Sequence, residues 1–262
     1  MARRLLALLD GLLNLATMLV IVVVGAYAGY ALWDNQQIYA SVENVQADML
    51  LYKNKAEDGM HAMFEELRAI NPDVQAWLEL DETKIDYPLL YGNTNSYYLS
   101  RNVYRDFALA GSLFIDTRCN KELRNCYSLI HGHHMANRMM FGDLDLYKKK
   151  DFFWENRTGT VLLPDRKYEL RTLAVLITHA VHEVIFEPQK WADDIEEPLL
   201  YAKEVSLYKD DEMIERLLLE NEEAKKGNGR KPQLMVMATC SSESDAARTV
   251  LLCEMIPVEE TE

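Results

Sequence analysis

The sequence is poor in cysteine, proline and glycine, and it has no basic block. Four cysteines among 262 residues are too few for a disulfide-dense scaffold. Eleven glycines and seven prolines exclude a collagen-like chain, and a hydrophobic content of 49% excludes a mainly disordered one. Lys and Arg number 28 against 42 Asp and Glu, a formal charge of −14. An acidic chain without a run of Lys or Arg is not built to neutralise phosphates, so nucleic acid is not expected as a partner. Internal repeats and low-complexity tracts are also lacking. The length suits one large domain or two small ones.

What is present is sharply divided along the chain. Residues Gly11 to Trp33 carry no charged side chain and include the run Leu19-Val20-Ile21-Val22-Val23-Val24. At about 1.5 Å per helical residue the stretch is long enough to cross a hydrocarbon core of about 30 Å. Arg3 and Arg4 precede it and Asp34 follows it, so the positive-inside rule keeps the N-terminus cytoplasmic and exports the rest. Tyr27, Tyr30 and Trp33 suit an interfacial aromatic belt. A cleaved signal peptide is the competing reading, because Ala26-Tyr27-Ala28 has the small-x-small form of a cleavage site. Either way the remainder is exported. The expected layout is a cytoplasmic N-terminus over 1–10, a single-pass anchor in the lipid bilayer over 11–33, a helical segment over 34–70 and a globular domain over 71–262.

Val42, Val45, Met49 and Tyr52, then Met60, Met63, Phe64, Leu67 and Ile70, recur at helical spacing, with a break between Lys53 and Gly59. Beyond residue 72, short β-branched and aromatic runs predict strands at Val74–Leu80, Ile85–Tyr91, Gly111–Asp116, Tyr127–Gly132, Thr160–Leu163, Tyr168–Thr178, Leu234–Cys240 and Thr249–Met255. A short helix is expected over Met139–Tyr147. A longer one is expected over Asp211–Lys225, stopped by Lys226-Gly227-Asn228-Gly229. This is a mainly β chain, a barrel or sandwich carrying helical insertions.

The chemistry-bearing residues lie at strand ends. Leu234 to Thr239 is an apolar run that ends in Cys240, polar small residues follow, and Arg248 opens the next apolar run. An antiparallel hairpin would bring Cys240 and Arg248 to one rim, where a guanidinium can stabilise a thiolate or an oxyanion. Cys253, inside its strand, reads as a small core residue. A thiol nucleophile needs a base or charged partner, and the segment His131-Gly132-His133-His134-Met135 supplies three imidazoles after another strand. The same histidines admit a zinc-site reading, but Met135 occupies the aspartate position of a His-x-His-x-Asp-His pattern. His179 and His182 read as ordinary strand or loop residues and His61 as a helix-surface one. Cys119 and Cys126 flank a short polar loop and could be either a disulfide or two free thiols.

Residues 41 to 257 resemble the sortases, and class B most. The residues that carry the resemblance are Ile130-His131-Gly132-His133-His134-Met135 with Met139-Met140-Phe141-Gly142-Asp143-Leu144, then Val236-Met237-Ala238-Thr239-Cys240, then Arg248-Thr249-Val250, with Asn71-Pro72-Asp73-Val74-Gln75-Ala76-Trp77-Leu78 and Ile85-Asp86-Tyr87-Pro88 upstream. Val236 replaces the Thr that opens the family's cysteine motif, and His131 replaces the usual Tyr before Gly-His. The resemblance implies an eight-stranded sortase-like β-barrel with peripheral helices, preceded by N-terminal helices and one transmembrane helix. It implies a membrane-anchored cysteine transpeptidase of Gram-positive type, needing no cofactor and no metal. Cys240 would be the nucleophile, His133, directly after Gly132, the general acid and base, and Arg248 the oxyanion and substrate stabiliser. Thr239 and Ser241 would contact the substrate. The implied partners are a sorting-signal peptide, of Asn-Pro-x-Thr or Leu-Pro-x-Thr type, and a peptidoglycan amine. An exported hydrolase using water, and a non-catalytic membrane scaffold, are the alternatives.

Overall fold

The computed structural model describes residues 2–54, 59–240 and 246–258. The chain forms two compact units, 1–44 and 45–262. The described residues of the first are helical throughout, part of α1 (Ala2–Asn54). Its apolar stretch is long enough to cross a membrane, and none of that stretch is buried against protein. The helical pattern expected from residue 41 is thus the continuation of a helix that starts near the N-terminus.

In the second unit, the last turns of α1 and α2 (Met60–Ile70) precede nine strands. These are β1 (Val74–Leu80), β2 (Asp86–Leu90), β3 (Phe114–Ile115), β4 (Tyr127–His131), β5 (Thr158–Leu163), β6 (Arg166–His179), β7 (Tyr208–Lys209), β8 (Leu234–Cys240) and β9 (Ala247–Val258). Neighbouring strands run in the order β5-β1-β2-β3-β4-β8-β9-β6, and β6 pairs back onto β5. The ring closes as an eight-stranded barrel, with β7 appended to β6. Closure removes the unpaired edges that an open sheet would leave. The pairs β2/β3 and β4/β8 are parallel and the others antiparallel.

The apolar runs explain the interior. Leu129, Ile130, Val236, Met237, Val250, Leu251 and Leu252 are fully buried, as expected of strands covered on both faces. A second apolar cluster joins Met49 of α1 and Met63, Phe64 and Leu67 of α2 to Trp77, Tyr98 and Phe114. Lys53 anchors the end of α1 by ion pairs to Glu79 (2.6 Å) and Asp86 (2.7 Å). The remaining helices are α3 (Lys150–Glu155), α4 (Glu183–Phe186), α5 (Glu196–Val205) and α6 (Asp211–Lys225). α6 begins where Asp210 accepts the Met213 N–H, and stops where Gly227 turns left-handed.

Strands β1 and β8 have the bounds read from the sequence, and α6 does too. The expected strand over Gly111–Asp116 shrinks to Phe114–Ile115, because Gly111 and Ser112 turn back to bond the preceding loop. The helix expected over Met139–Tyr147 is a run of 3₁₀ turns over Phe141–Lys148, and it starts after Met140 because that residue's φ of 51° lies outside the helical region.

Candidate functional site

One end of the barrel gathers the chemistry-bearing residues. Antiparallel register sets Cys240 of β8 opposite Arg248 of β9, and Arg248 opposite Thr178 of β6. On the other side of β8, parallel β4 sets His131 beside Ala238. β4 ends at His131, and the Gly132 N–H donates to the Ala238 carbonyl at 3.3 Å, so His133 follows at the end of the barrel where β8 finishes in Cys240. The order across the rim is therefore the end of β4, with His133 two residues beyond it, then Cys240, Arg248 and Thr178. The Arg248 side chain is half-buried, and one of its nitrogens donates to the Ala247 carbonyl at 2.8 Å. Thr239 is buried with its hydroxyl unpaired among the described residues, so it faces protein and not a groove. Ser241 lies outside the described residues.

The three clustered imidazoles go to three different partners. His133 donates from Nε2 to the Leu99 carbonyl at 2.7 Å. A carbonyl only accepts, so Nε2 holds a proton and Nδ1 is left for chemistry. Leu99 is itself fixed by close packing: a Cβ on Gly111, which has φ 59°, would come within 2.7 Å of the Leu99 oxygen. His134 pairs with Asp145 at 2.9 Å, and Lys148 pairs with the same carboxylate at 2.8 Å. Burial pushes the Asp145 carboxyl up, but the bonds from Lys148 and His134 outweigh it and hold it low.

His131 donates to Asp116 at 2.8 Å. Asp116 is fully buried and also takes Arg118 through two nitrogens, at 2.9 and 2.7 Å, and Asn95 at 2.9 Å. Burial alone would raise this carboxyl, yet the bonds from Arg118 and His131 hold it well below the usual carboxylate range. The three groups form one wall of a cleft of about 420 Å³, whose apolar walls include Leu99, Phe114, Val181 and Phe186. Leu99 is shared between this cleft and His133. Sequence reasoning did not find Asp116, Arg118 or Leu99 as partners, because loops bring them in and no spacing marks them.

The other cysteines are core residues. Cys119, Cys126 and Cys253 are buried free thiols. Burial pushes the Cys119 and Cys253 thiols up to about 12, which keeps them un-ionised and inert. His61 is an exposed helix residue near Glu65.

Known proteins place this arrangement. No protein-family model matches the chain. Sortase B of Listeria monocytogenes is 30% identical over 180 residues, covering 69% of this chain and 68% of that protein. The chain belongs to the class B sortases. Sortase B of Staphylococcus aureus is 30% identical over 135 residues, which span 52% of this chain and 54% of that protein. A solved Streptococcus pyogenes class B sortase involved in pilus biogenesis superposes with a TM-score of 0.62 at 28% identity, over 73% of this chain and 97% of the other. The Staphylococcus aureus sortase B–substrate complex superposes with a TM-score of 0.67 at 25% identity, over 86% and 99%. This sortase is thus a cysteine transpeptidase on a closed eight-stranded barrel.

Proposed function

We propose that this sortase is tethered by residues 11–33 with its N-terminus cytoplasmic and its barrel outside the cell membrane. There it cuts a sorting signal of Asn-Pro-x-Thr or Leu-Pro-x-Thr type after Thr and passes the acyl group to a peptidoglycan amine. The carrying observation is the register that sets Cys240 opposite Arg248, with His133 two residues past the end of the neighbouring strand β4. Arg3 and Arg4 ahead of the apolar stretch support the orientation.

In this reading the Cys240 thiolate attacks the Thr carbonyl carbon, forming a C–S bond. The oxyanion is stabilised by the Arg248 guanidinium. Collapse breaks the C–N bond, and His133 gives a proton from Nδ1 to the departing amine. Neutral His133 then takes a proton from the incoming amine as it attacks the thioester, and the thiolate leaves. The cleft beside Leu99 seats the peptide upstream of the scissile bond. Its apolar walls suit proline, and Arg118 and His131 offer polar contacts. The Staphylococcus aureus relative solved as a substrate complex supports a peptide groove on this barrel. Ser241 stays a candidate substrate contact on its place beside Cys240, whereas buried Thr239 would act through the backbone.

Intact-mass spectrometry of the detergent-solubilised full chain, incubated with pooled peptides of both motif types, tests this. An acyl adduct on Cys240 that triglycine discharges as a new amide is expected. It should be absent in Cys240→Ala and in His133→Ala. An adduct released only by water would make the protein a hydrolase. Turnover retained in Cys240→Ala would overturn the mechanism.

A further inference from the structure

The segment that follows His133 is the most strained stretch among the described residues. Asn137, Arg138 and Met140 all have φ between 51° and 64°, and they are three of the six non-glycine residues with positive φ there. Met140, at φ 51° and ψ −124°, sits in a region that side chains rarely adopt. Strain of this kind persists only where surrounding structure over-determines it.

The over-determination is visible. Asp143 is fully buried and takes Arg138 through both oxygens, at 2.7 and 3.0 Å. It also accepts the Lys84 backbone N–H at 2.7 Å, from the turn between β1 and β2. The Lys84 ammonium donates to the Asn137 carbonyl at 3.2 Å, and the Met140 N–H donates to the Tyr87 hydroxyl at 3.2 Å. The clamped turn leads directly back to the site: the next N–H, of Phe141, donates to the His133 carbonyl at 3.0 Å. The β1–β2 turn is thereby coupled to the backbone of His133.

We infer that the Asp143–Arg138 pair is a positioning device for His133, holding a strained turn that sets where the imidazole stands. The inference rests on the reading of His133 as the proton donor. Neither residue touches the reacting atoms; both act through the His133 backbone. Releasing the turn should let the ring leave the Leu99 carbonyl and alter its proton affinity.

The test uses the full chain in detergent with carbon-13-labelled histidine. The His133 ring resonance is followed across pH about 5 to 9, the range in which histidine titrates. In Asp143→Asn and in Arg138→Gln the His133 midpoint should move by about half a unit or more. Asn137→Gly, added to Asp143→Asn, should restore it at least in part, because glycine holds a left-handed turn unaided and Asn137 is exposed. A merely structural loss would not be rescued this way. Arg138→Gln changes a side chain that is half exposed, so it decides the matter if Asp143→Asn fails to fold. A folded Arg138→Gln protein with the wild-type His133 midpoint would overturn the inference. Iodoacetamide alkylation of Cys240 in His133→Ala separates the two readings. A pH profile there equal to wild type would overturn the catalytic role of His133, while the resonance would still judge the clamp.

Discussion

At the residue scale, the site separates groups that face chemistry from groups that only support it. Thr239 belongs to the second kind. Its hydroxyl is buried without a partner among the described residues, and its register partner Thr249 is buried too. An unpaired buried hydroxyl costs about 1–3 kcal/mol. Thr239→Val, which keeps the shape, should therefore raise unfolding stability by about 1 kcal/mol in denaturant titrations. It should leave KM for the peptide unchanged, and a raised KM would return Thr239 to the substrate contacts. Asp116 is of the supporting kind as well, but charged. Its carboxyl is depressed in the folded protein, so the ionised form stabilises the fold. That stabilisation is complete above the ordinary carboxylate value of about 3.9 and is lost as pH falls below it. Asp116→Asn should melt lower than wild type at neutral pH, with the gap closing below about pH 4. The placement of Cys240 and Arg248 at one end of paired strands was legible in the sequence, because one ends and the other opens an apolar run; the choice of His133 came from the resemblance. Asp116, Leu99 and Asp145 were not legible, because their partnerships depend on loops folding over the strand ends.

At the element scale, the turn after β4 is the tightest-built part of the site. A Cβ on Gly142 would come within 2.2 Å of the Met135 carbonyl oxygen, and one on Gly132 within 2.3 Å of Leu113. The first contact is with backbone and cannot be relieved by a rotamer change. Gly142→Ala should destabilise by roughly 1–3 kcal/mol and reduce acylation of Cys240, measured by thermal unfolding and intact mass together. An unchanged melting point would show that the turn yields. Elements with a strong period were readable to the residue, as with β1, β8 and α6. Weak ones were not. β7 is two residues long, too short to show alternation. α5 is short and carries Pro198 in its first turn, a residue that punctuates a sequence and masks the helix it opens. The break expected between Lys53 and Gly59 rests on polar residues that interrupt the apolar spacing, and 55–58 lie outside the described residues; the continuity of α1 across residue 33 was not legible. Nothing in the local sequence distinguishes one long helix from two abutting ones.

At the scale of the whole molecule, the acidic surface and the apolar helix have opposite requirements. Removing residues 2–33 should move the chain from the membrane fraction to the soluble fraction on ultracentrifugation. Continued sedimentation with membranes would point to a second attachment. The barrel's closure was legible only as a class, since eight strands of this spacing fit a sandwich equally well until β6 is seen to pair with both β5 and β9. The neighbours β4 and β8 lie side by side although more than 100 residues separate Tyr127 from Leu234. Bringing two such distant strands into register means closing a very long loop, among the slower events in folding. Cys240 ends β8, and His133 follows the end of β4 by two residues. In the proposed mechanism the thiol is therefore without its imidazole until folding is nearly finished, and activity itself becomes the signal that the barrel has been completed.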